Sequence, residues 1–162
     1  MSDLCPPSEI AKWFINRVDR ESGEAITHLK LQKMVYFAQA YYLANFNKAL
    51  FSEDIQAWAH GPVVPSLFEA YKNCSWNAIG PVAPAKIKDK DVLAYLEAAY
   101  EKFSKFGAKQ LEKMTHDHAP WRDARGDLPP EARCSRIIDK IAMRDFYAQK
   151  IEKSWPKKTL IR

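Results

Sequence analysis

The chain has 162 residues, of which 47% are hydrophobic and 12% aromatic, and its formal net charge is +5. This composition argues against a disordered chain, and the length suits one compact domain that buries its core without disulfide staples. No run approaches the roughly 18 uninterrupted apolar residues that a membrane-spanning helix requires, so a membrane protein is not expected.

A helix is predicted near the start of the chain, from about Ser8 to Arg20. Ile10, Phe14 and Val18 recur at four-residue spacing and form one apolar stripe. Ser8 is positioned to cap the free amides of the first turn. The Ser22-Gly23 pair is expected to end the segment.

The strongest helical pattern is the run THLKLQKMVYFAQAYYLAN. Thr27 is the expected N-cap, and the helix should cover about residues 28–45. Because this helix is apolar over most of its girth, we expect it at the centre of the domain. Lys30, Gln32 and Lys33 fall near its start, where the edge of the surrounding elements is expected.

The apolar pattern then changes to a period of two, which predicts one small β-hairpin over about residues 49–59. Every second residue from Ile55 to Ala59 is apolar, as is typical of a half-buried strand. The Ala49-Leu50-Phe51 triplet is the expected partner strand. Pro62 cannot donate a backbone hydrogen bond, so the sheet is expected to stop there.

The stretch AWAHGPVVPSLFEAY is expected to form a rigid corner between strand and helix. Gly61 precedes a proline, which disfavours helical geometry and keeps the backbone extended. The helix that follows, through Tyr71, can begin with Pro62 in its first turn. It can also begin with Ser66 as N-cap and Glu69 completing a capping box, and the pattern leaves both starts open.

The second half of the chain predicts a loop followed by three helices. Residues 73–88 contain three helix breakers and no sustained period, which indicates a loop. One helix is predicted from about Asp89 to Gly107, a shorter one from Ala108 to Thr115, and a last one capped by Asp139. The stretch HDHAPWRDARGDLPPEAR is predicted to be irregular.

Together these elements predict a mainly α fold, a compact helical domain around the central helix with one small β-hairpin. We expect residues 1–153 to form a single domain. Residues 154–162 are expected to be a basic C-terminal tail, since seven basic and three acidic residues fall between positions 139 and 162.

The histidines and cysteines do not form a recognisable reactive or metal-binding pattern. His116 and His118 make an H-x-H pair upstream of Cys134, but a zinc site needs three or four ligands, and neither HExxH nor paired-cysteine spacing is present. No nucleophile motif surrounds any cysteine. We therefore predict no metal and no cofactor, with one of the two histidines packed against Trp121 and the other solvated.

Several basic residues could form one stripe on the surface, which would suit nucleic-acid binding. Lys30, Lys33, the Arg122–Arg125 pair and the basic end are interleaved with aromatic residues. A recognition helix needs a polar face for the groove, however, and the helix that carries the two lysines is too apolar to provide one. The pattern therefore argues against a nucleic-acid partner.

The cysteines and the first residues indicate the compartment. Cys5, Cys74 and Cys134 are odd in number and far apart, and the start MSDLCPPSE has neither the basic residues nor the apolar run of a secretory signal. We therefore expect a cytoplasmic protein with free thiols.

Three stretches, taken together, resemble one known family. KLQKMVYFAQAYYLA, then ALFSEDIQAWAHGPVVPSLFEAYK, then the H-x-x-x-x-W-R spacing from His116 to Arg122 are similar to the Panacea domain of SocA-like antitoxins. That family also includes phage-associated proteins. The similarity extends from about Ile10 to Tyr147, which is nearly the whole chain.

The resemblance implies an antitoxin, not an enzyme, that neutralises a co-encoded toxin by direct protein contact. In an alternative drawn from the same family, the protein is an adaptor that delivers the toxin to an AAA+ protease. A DNA-binding autorepressor and an enzyme built around His60 or His116 are less favoured. The expected partner is therefore a cognate toxin protein, without nucleic acid and without a membrane.

The resemblance also carries motif positions over as candidate partner-binding residues. A role in maintaining the fold is favoured for the tryptophans and the Gly-Pro pair among them, whereas the basic residues stay open between fold and contact. The positions are Lys30, Gln32, Lys33, Tyr36, Trp58, His60, Gly61, Pro62, Val63, His116, Trp121 and Arg122.

Overall fold

The computed structural model describes residues 5–151, and the predicted basic tail, residues 154–162, lies outside them. The described part is mainly helical and contains one two-stranded antiparallel sheet, as predicted. The elements are α1 Pro7–Arg17, α2 His28–Phe46, β1 Gln56–Trp58, β2 Gly61–Val63, α3 Pro65–Tyr71, α4 Lys90–Phe103, α5 Ala108–Asp117, α6 Ala119–Arg125 and α7 Lys140–Ala148. None of the described helices is long and apolar enough to cross a membrane.

Helix α2 lies at the centre of the fold, which confirms the prediction from its apolar girth. The Thr27 side chain accepts a hydrogen bond from the Lys30 amide at 3.3 Å, and Asn47 ends the helix in the left-handed conformation. Every residue from Leu31 to Leu43 is buried. The helix reaches this burial by packing against α1, α3, α4, α5, α7 and β2.

Helix α1 begins one residue earlier than predicted, and the predicted cap is wrong. Pro6 occupies the N-cap position with extended geometry and Pro7 is the first helical residue, so Ser8 lies inside the first turn. A proline at this position loses no helical hydrogen bond and has a suitable φ. The helix ends at Arg17, and a short 3₁₀ turn at Arg20–Ser22 follows.

The hairpin exists, but its partner strand is not the one predicted. β1 pairs with β2, and Pro62 lies opposite Ala57 in the register. Ala57 directs its backbone away from Pro62, because its amide donates to the Arg136 carbonyl at 2.8 Å and its carbonyl accepts from Arg125 at 2.9 Å. Positions opposite each other in an antiparallel pair alternate between bonded and non-bonded, and Pro62 occupies a non-bonded one. The sheet therefore continues through Pro62.

The triplet predicted as a strand, residues 49–51, is bonded to a side chain instead. The Gln39 amide group accepts from the Leu50 amide at 2.8 Å and donates to the Phe51 carbonyl at 2.7 Å. The Cys5 amide donates to the Leu50 carbonyl at 3.0 Å. Because these groups satisfy the backbone, the triplet needs no partner strand.

Helix α3 begins at neither of the two predicted positions. Val64 is its N-cap and Pro65 its first residue, because the chain remains extended through β2 until Val63. Ser66, the predicted cap, instead donates from its hydroxyl to the Glu53 carboxylate at 2.6 Å.

The second half matches the predicted helices and adds one that was missed. Asp139 caps α7, as predicted, and Asp89, near the predicted start of the earlier helix, caps α4. The stretch predicted to be irregular contains α6, which has Pro120 in its first turn. Seven residues make fewer than two turns, which is too short for the apolar period to stand out. Cys5, Cys74 and Cys134 are free thiols.

Candidate functional site

The motif residues converge where the start of α2 passes beneath β2 and meets α5. The Lys33 ammonium donates to the Pro62 carbonyl at 3.0 Å. Gly61 has φ +107°, and a Cβ atom there would lie 2.6 Å from Lys33 Cε and 3.0 Å from Thr115 Oγ1. Both the backbone conformation and the space therefore require glycine at this position.

Lys33 is buried, with only 1% of its surface exposed. Burial lowers the pKa of its amine to about 7, although the nearby Glu112 carboxylate acts in the opposite direction. Within residues 5–151, no ion pair joins a carboxylate to this amine. The sequence placed Lys33 at the edge of the covering elements, whereas the hairpin closes over it.

Glu112 is a buried carboxylate on α5 that lies close to one lysine and two histidines. Its oxygens lie 3.3 Å from His60 Nδ1, 3.3 Å from Lys109 Nζ and 3.9 Å from His116 Nε2. Burial tends to raise its pKa, but the hydrogen bonds from His60 and Lys109 leave the pKa lowered. The carboxylate therefore stays ionised and ties the hairpin turn to α5.

Gln32 attaches the end of the hairpin to α2. Its Oε1 accepts from the Val64 amide at 2.9 Å, and its Nε2 lies 3.4 Å from the Val64 carbonyl and 3.2 Å from His28 Nε2. Gln39, two helical turns later, holds Leu50 and Phe51 in the same manner. Two buried glutamines thus fix two separate stretches of backbone against one helix.

Tyr36, one turn further along α2, belongs to a hydrogen-bonded chain that leads to α7. Its hydroxyl lies 3.0 Å from the Tyr147 hydroxyl, which lies 2.8 Å from His118 Nδ1. Burial raises the pKa of both tyrosines and lowers the pKa of His118 to about 4. His118 is therefore neutral and half-buried, and the prediction that one histidine of the H-x-H pair is solvated is wrong.

His116 is the histidine that packs against Trp121, as predicted. The two rings stack at 4.1 Å between centroids with an interplanar angle of 16°. The Trp121 indole donates to the Trp58 carbonyl at 2.8 Å, and the Trp58 indole donates to Gln56 Oε1 at 2.8 Å. This chain of contacts fastens α6 to the hairpin.

The remaining motif residues lie nearer the surface. His60 is exposed on the hairpin turn, and Arg122 is exposed on α6 with its guanidinium donating to the Asp117 carbonyl at 3.1 Å. Lys30 is half-buried and donates to the Ser104 carbonyl at 2.6 Å. Val63 is buried in β2. Most of the motif thus supports the packing of hairpin, α2, α5 and α6.

Arg125 was missed as a structural residue. It is buried, its guanidinium donates to four backbone carbonyls, and it lies 4.9 Å from the centre of the Trp121 ring. The acceptors are the carbonyls of Ala57, Pro129, Pro130 and Ala132. Lys33 and Arg125 are both buried, so they cannot contribute to the basic surface stripe considered above for nucleic-acid binding. The four-residue spacing from Trp121 was the only available signal, and it required that α6 be recognised.

A groove of about 420 Å³ opens beside this cluster, between the start of α2, the hairpin and α3. Its walls are mainly aromatic and apolar, and its rim carries two lysines. Its lining includes Lys33, Trp58, Phe68, Lys72, Trp76 and Lys109. Within the described residues, no group of three or more histidine, cysteine or acidic side chains is placed to hold a metal ion.

Comparison with known proteins identifies the same family that the sequence motifs resemble. The family profile described as "Antitoxin SocA-like, Panacea domain" matches residues 31–122, which is more than half of the chain. The chain therefore belongs to the family of SocA-like antitoxins with a Panacea domain. Antitoxin SocA of Caulobacter vibrioides (strain NA1000 / CB15N) is 26% identical over 150 residues, covering 81% of this chain and 77% of that protein. No solved structure matches the chain.

Proposed function

We propose that this chain is the antitoxin of a toxin–antitoxin pair, that it neutralises a co-encoded toxin by direct binding, and that it catalyses no reaction. The observation that carries this proposal is the family membership, together with the relative named as an antitoxin over most of both chains. We propose the cytoplasm as the place where the complex forms.

The internal contacts of the motif support a binding role over a catalytic one. Lys33 is covered by Gly61 and bonded to a backbone carbonyl, and His118 is bonded to a buried tyrosine. His116 is stacked face to face on an indole. Side chains that would be candidates for chemistry thus have positions in which they support the fold.

Co-expression with the adjacent gene tests the proposal. The product of that gene alone should arrest growth, and co-expression of this chain should restore growth and give a complex that co-purifies. A harmless neighbour, or restored growth without a complex, would contradict the proposal.

The co-expression system also distinguishes an antitoxin from an enzyme. A His116→Ala variant that remains folded should still neutralise the toxin, because its imidazole would take part in no reaction. Loss of neutralisation with the complex intact would instead favour a histidine-dependent activity.

Toxin abundance separates blocking from delivery to a protease. Blocking leaves the amount of toxin unchanged when this chain is present. A fall in toxin that disappears after deletion of an AAA+ protease would show that the chain is an adaptor.

A further inference from the structure

We propose that the groove beside the hairpin is the surface that receives the toxin, and that it binds a toxin segment with a large apolar side chain flanked by carboxylates. This inference rests on the proposed antitoxin function and specifies the chemistry of the contact. The groove volume of about 420 Å³ falls within the usual range of ligand-binding pockets, about 300–1,000 Å³.

The walls of the groove supply an aromatic contact surface. Trp76 lines it with 80% of its surface exposed. Trp58 and Phe68, whose ring centroids lie 4.9 Å apart, form a further wall and are half-buried. Tryptophan is enriched among the hot spots of protein–protein interfaces, so this wall is suited to an apolar side chain of a partner.

The backbone beside Trp76 supports a functional role for the exposed indole. Ser75 has φ 54° and ψ −124°, a conformation that residues with a Cβ rarely adopt. Strained residues of this kind tend to cluster at binding sites. The strain accompanies a turn that leaves Trp76 facing solvent.

The charges around the groove are positive. Lys72 and Lys109 lie at its rim, and no aspartate or glutamate is among the described residues that line it. Lys72 pairs with the exposed Glu69 at 2.8 Å, which makes a weak and exchangeable contact. Lys109 lies 3.3 Å from the buried Glu112, but its own side chain is 78% exposed and can meet a further carboxylate. Carboxylates on the incoming segment would therefore meet a complementary field.

The charge also argues against the chain's own tail as the occupant. Residues 154–162 contain Lys157, Lys158 and Arg162 and no acidic residue. A segment of that composition would be repelled by the rim lysines. A second copy of this chain is the other alternative occupant, and light scattering tests for it.

Binding of two labelled peptides to the full chain tests the groove without the toxin. One fluorescein-labelled peptide carries a central tryptophan flanked by aspartates, and the other has lysines in place of the aspartates. Fluorescence anisotropy should show binding of the acidic peptide only. Trp76→Ala and Lys109→Glu should each weaken its binding by about tenfold or more, as for hot-spot residues.

Lys113→Glu is the matched control. Lys109 and Lys113 lie four residues apart on α5, are 78% and 76% exposed, and each pairs with a carboxylate of the same helix. Only Lys109 lines the groove, so Lys113→Glu should change binding by less than about twofold. Ile141→Ala is the control for loss of an exposed apolar side chain.

Several results would overturn the groove proposal. These are failure of the acidic peptide to bind, equal binding of both peptides, or equal weakening by both lysine variants. Light scattering that shows a dimer dissolved by Trp76→Ala would make a second copy the occupant and would also overturn it.

The growth assay distinguishes this failure from failure of the proposed function. If the wild-type chain neutralises the toxin and Trp76→Ala and Lys109→Glu neutralise it equally well, the groove proposal is wrong and the antitoxin function stands. If the wild-type chain does not neutralise, the function is wrong, and the peptide measurements still decide whether the groove binds acidic aromatic segments.

Discussion

Gly61 combines two requirements that no other residue type meets together. Its φ of +107° lies in a region that side chains disfavour, and the Lys33 stem occupies the space of a Cβ atom. The lysine cannot move aside freely, because its amine is bonded to the Pro62 carbonyl beneath the hairpin. A single position thus couples the hairpin to the central helix.

Gly61→Ala should lower the free energy of unfolding by about 3 kcal/mol, from backbone strain and displacement of Lys33. Urea denaturation measures the change. Gly80→Ala is the control, since an added Cβ there meets nothing within 4 Å, and it should alter stability by less than about 0.5 kcal/mol. Equal effects at the two glycines would contradict the close-packing argument.

Lys33 should make stability depend on pH. Its pKa falls from 10.5 to about 7 on folding because of burial. Between these values the unfolded chain binds a proton that the folded chain does not, so the free energy of unfolding rises with pH from about 7 towards 10.5. Below about pH 7 the amine contributes no further slope.

Lys33→Met removes this contribution while keeping an unbranched side chain. The difference in unfolding free energy between wild type and Lys33→Met should increase from pH 7 to pH 9.5 in favour of the wild type, as measured by urea denaturation. Lys113→Met, at an exposed lysine, serves as the control. A difference that stays constant over this range would show that the amine is not titrating in the folded protein.

At the scale of elements, α6 and the hairpin depend on one buried cation. The Arg125 guanidinium bonds to β1 through the Ala57 carbonyl and to the turn that follows α6 through Pro129, Pro130 and Ala132. No side chain of another type offers so many donors in one plane. The cation satisfies the buried Ala57 carbonyl and holds the partly exposed turn after α6 against it.

Arg125→Met should therefore lower the free energy of unfolding by about 3 kcal/mol, because the buried Ala57 carbonyl loses its donor and the turn after α6 loses three hydrogen bonds at the same time. Thermal or urea denaturation followed by circular dichroism tests this. Arg122→Met, three residues earlier on the same helix but exposed, should change stability by less than about 0.5 kcal/mol. A small effect at Arg125 would mean that water replaces the guanidinium.

Across the whole molecule, resistance to local unfolding should be highest in α2 and lower at the periphery. This helix is buried from Leu31 to Leu43 and contacts most other elements, whereas the turn with Ser75 and Trp76 is exposed. Native-state amide hydrogen exchange should be slowest in α2 and fastest in that turn, since exchange follows local opening. Exchange in α2 as fast as in α3 would contradict a single central helix.

The same arrangement suits the proposed antitoxin role. The buried polar contacts of the motif hold a rigid frame around α2, and the exposed residues of the groove lie at its edge. We propose that residues 1–153 form this unit, with residues 154–162 as a separate tail.

The local sequence determined the features that depend on local burial and capping. The apolar girth of residues 28–45 predicted the central helix, Thr27 was predicted as its N-cap, and Asp139 was predicted as the cap of the last helix. Such signals are readable because period and capping involve residues within a few positions of each other. The mainly α class followed from them, and the family was recognised from motifs within the same segments.

Tertiary structure decided which segments pair and which charges are buried. The strand partner of β1 was β2 and not residues 49–51, because Gln39 satisfies that triplet and Ala57 turns its backbone away from Pro62. Lys33 and Arg125 lie in the interior because carbonyl groups far away in the sequence accept hydrogen bonds from them. Hydrogen-bond partners far apart in the chain leave no periodic trace in the sequence, so these outcomes appear only when the segments are packed together.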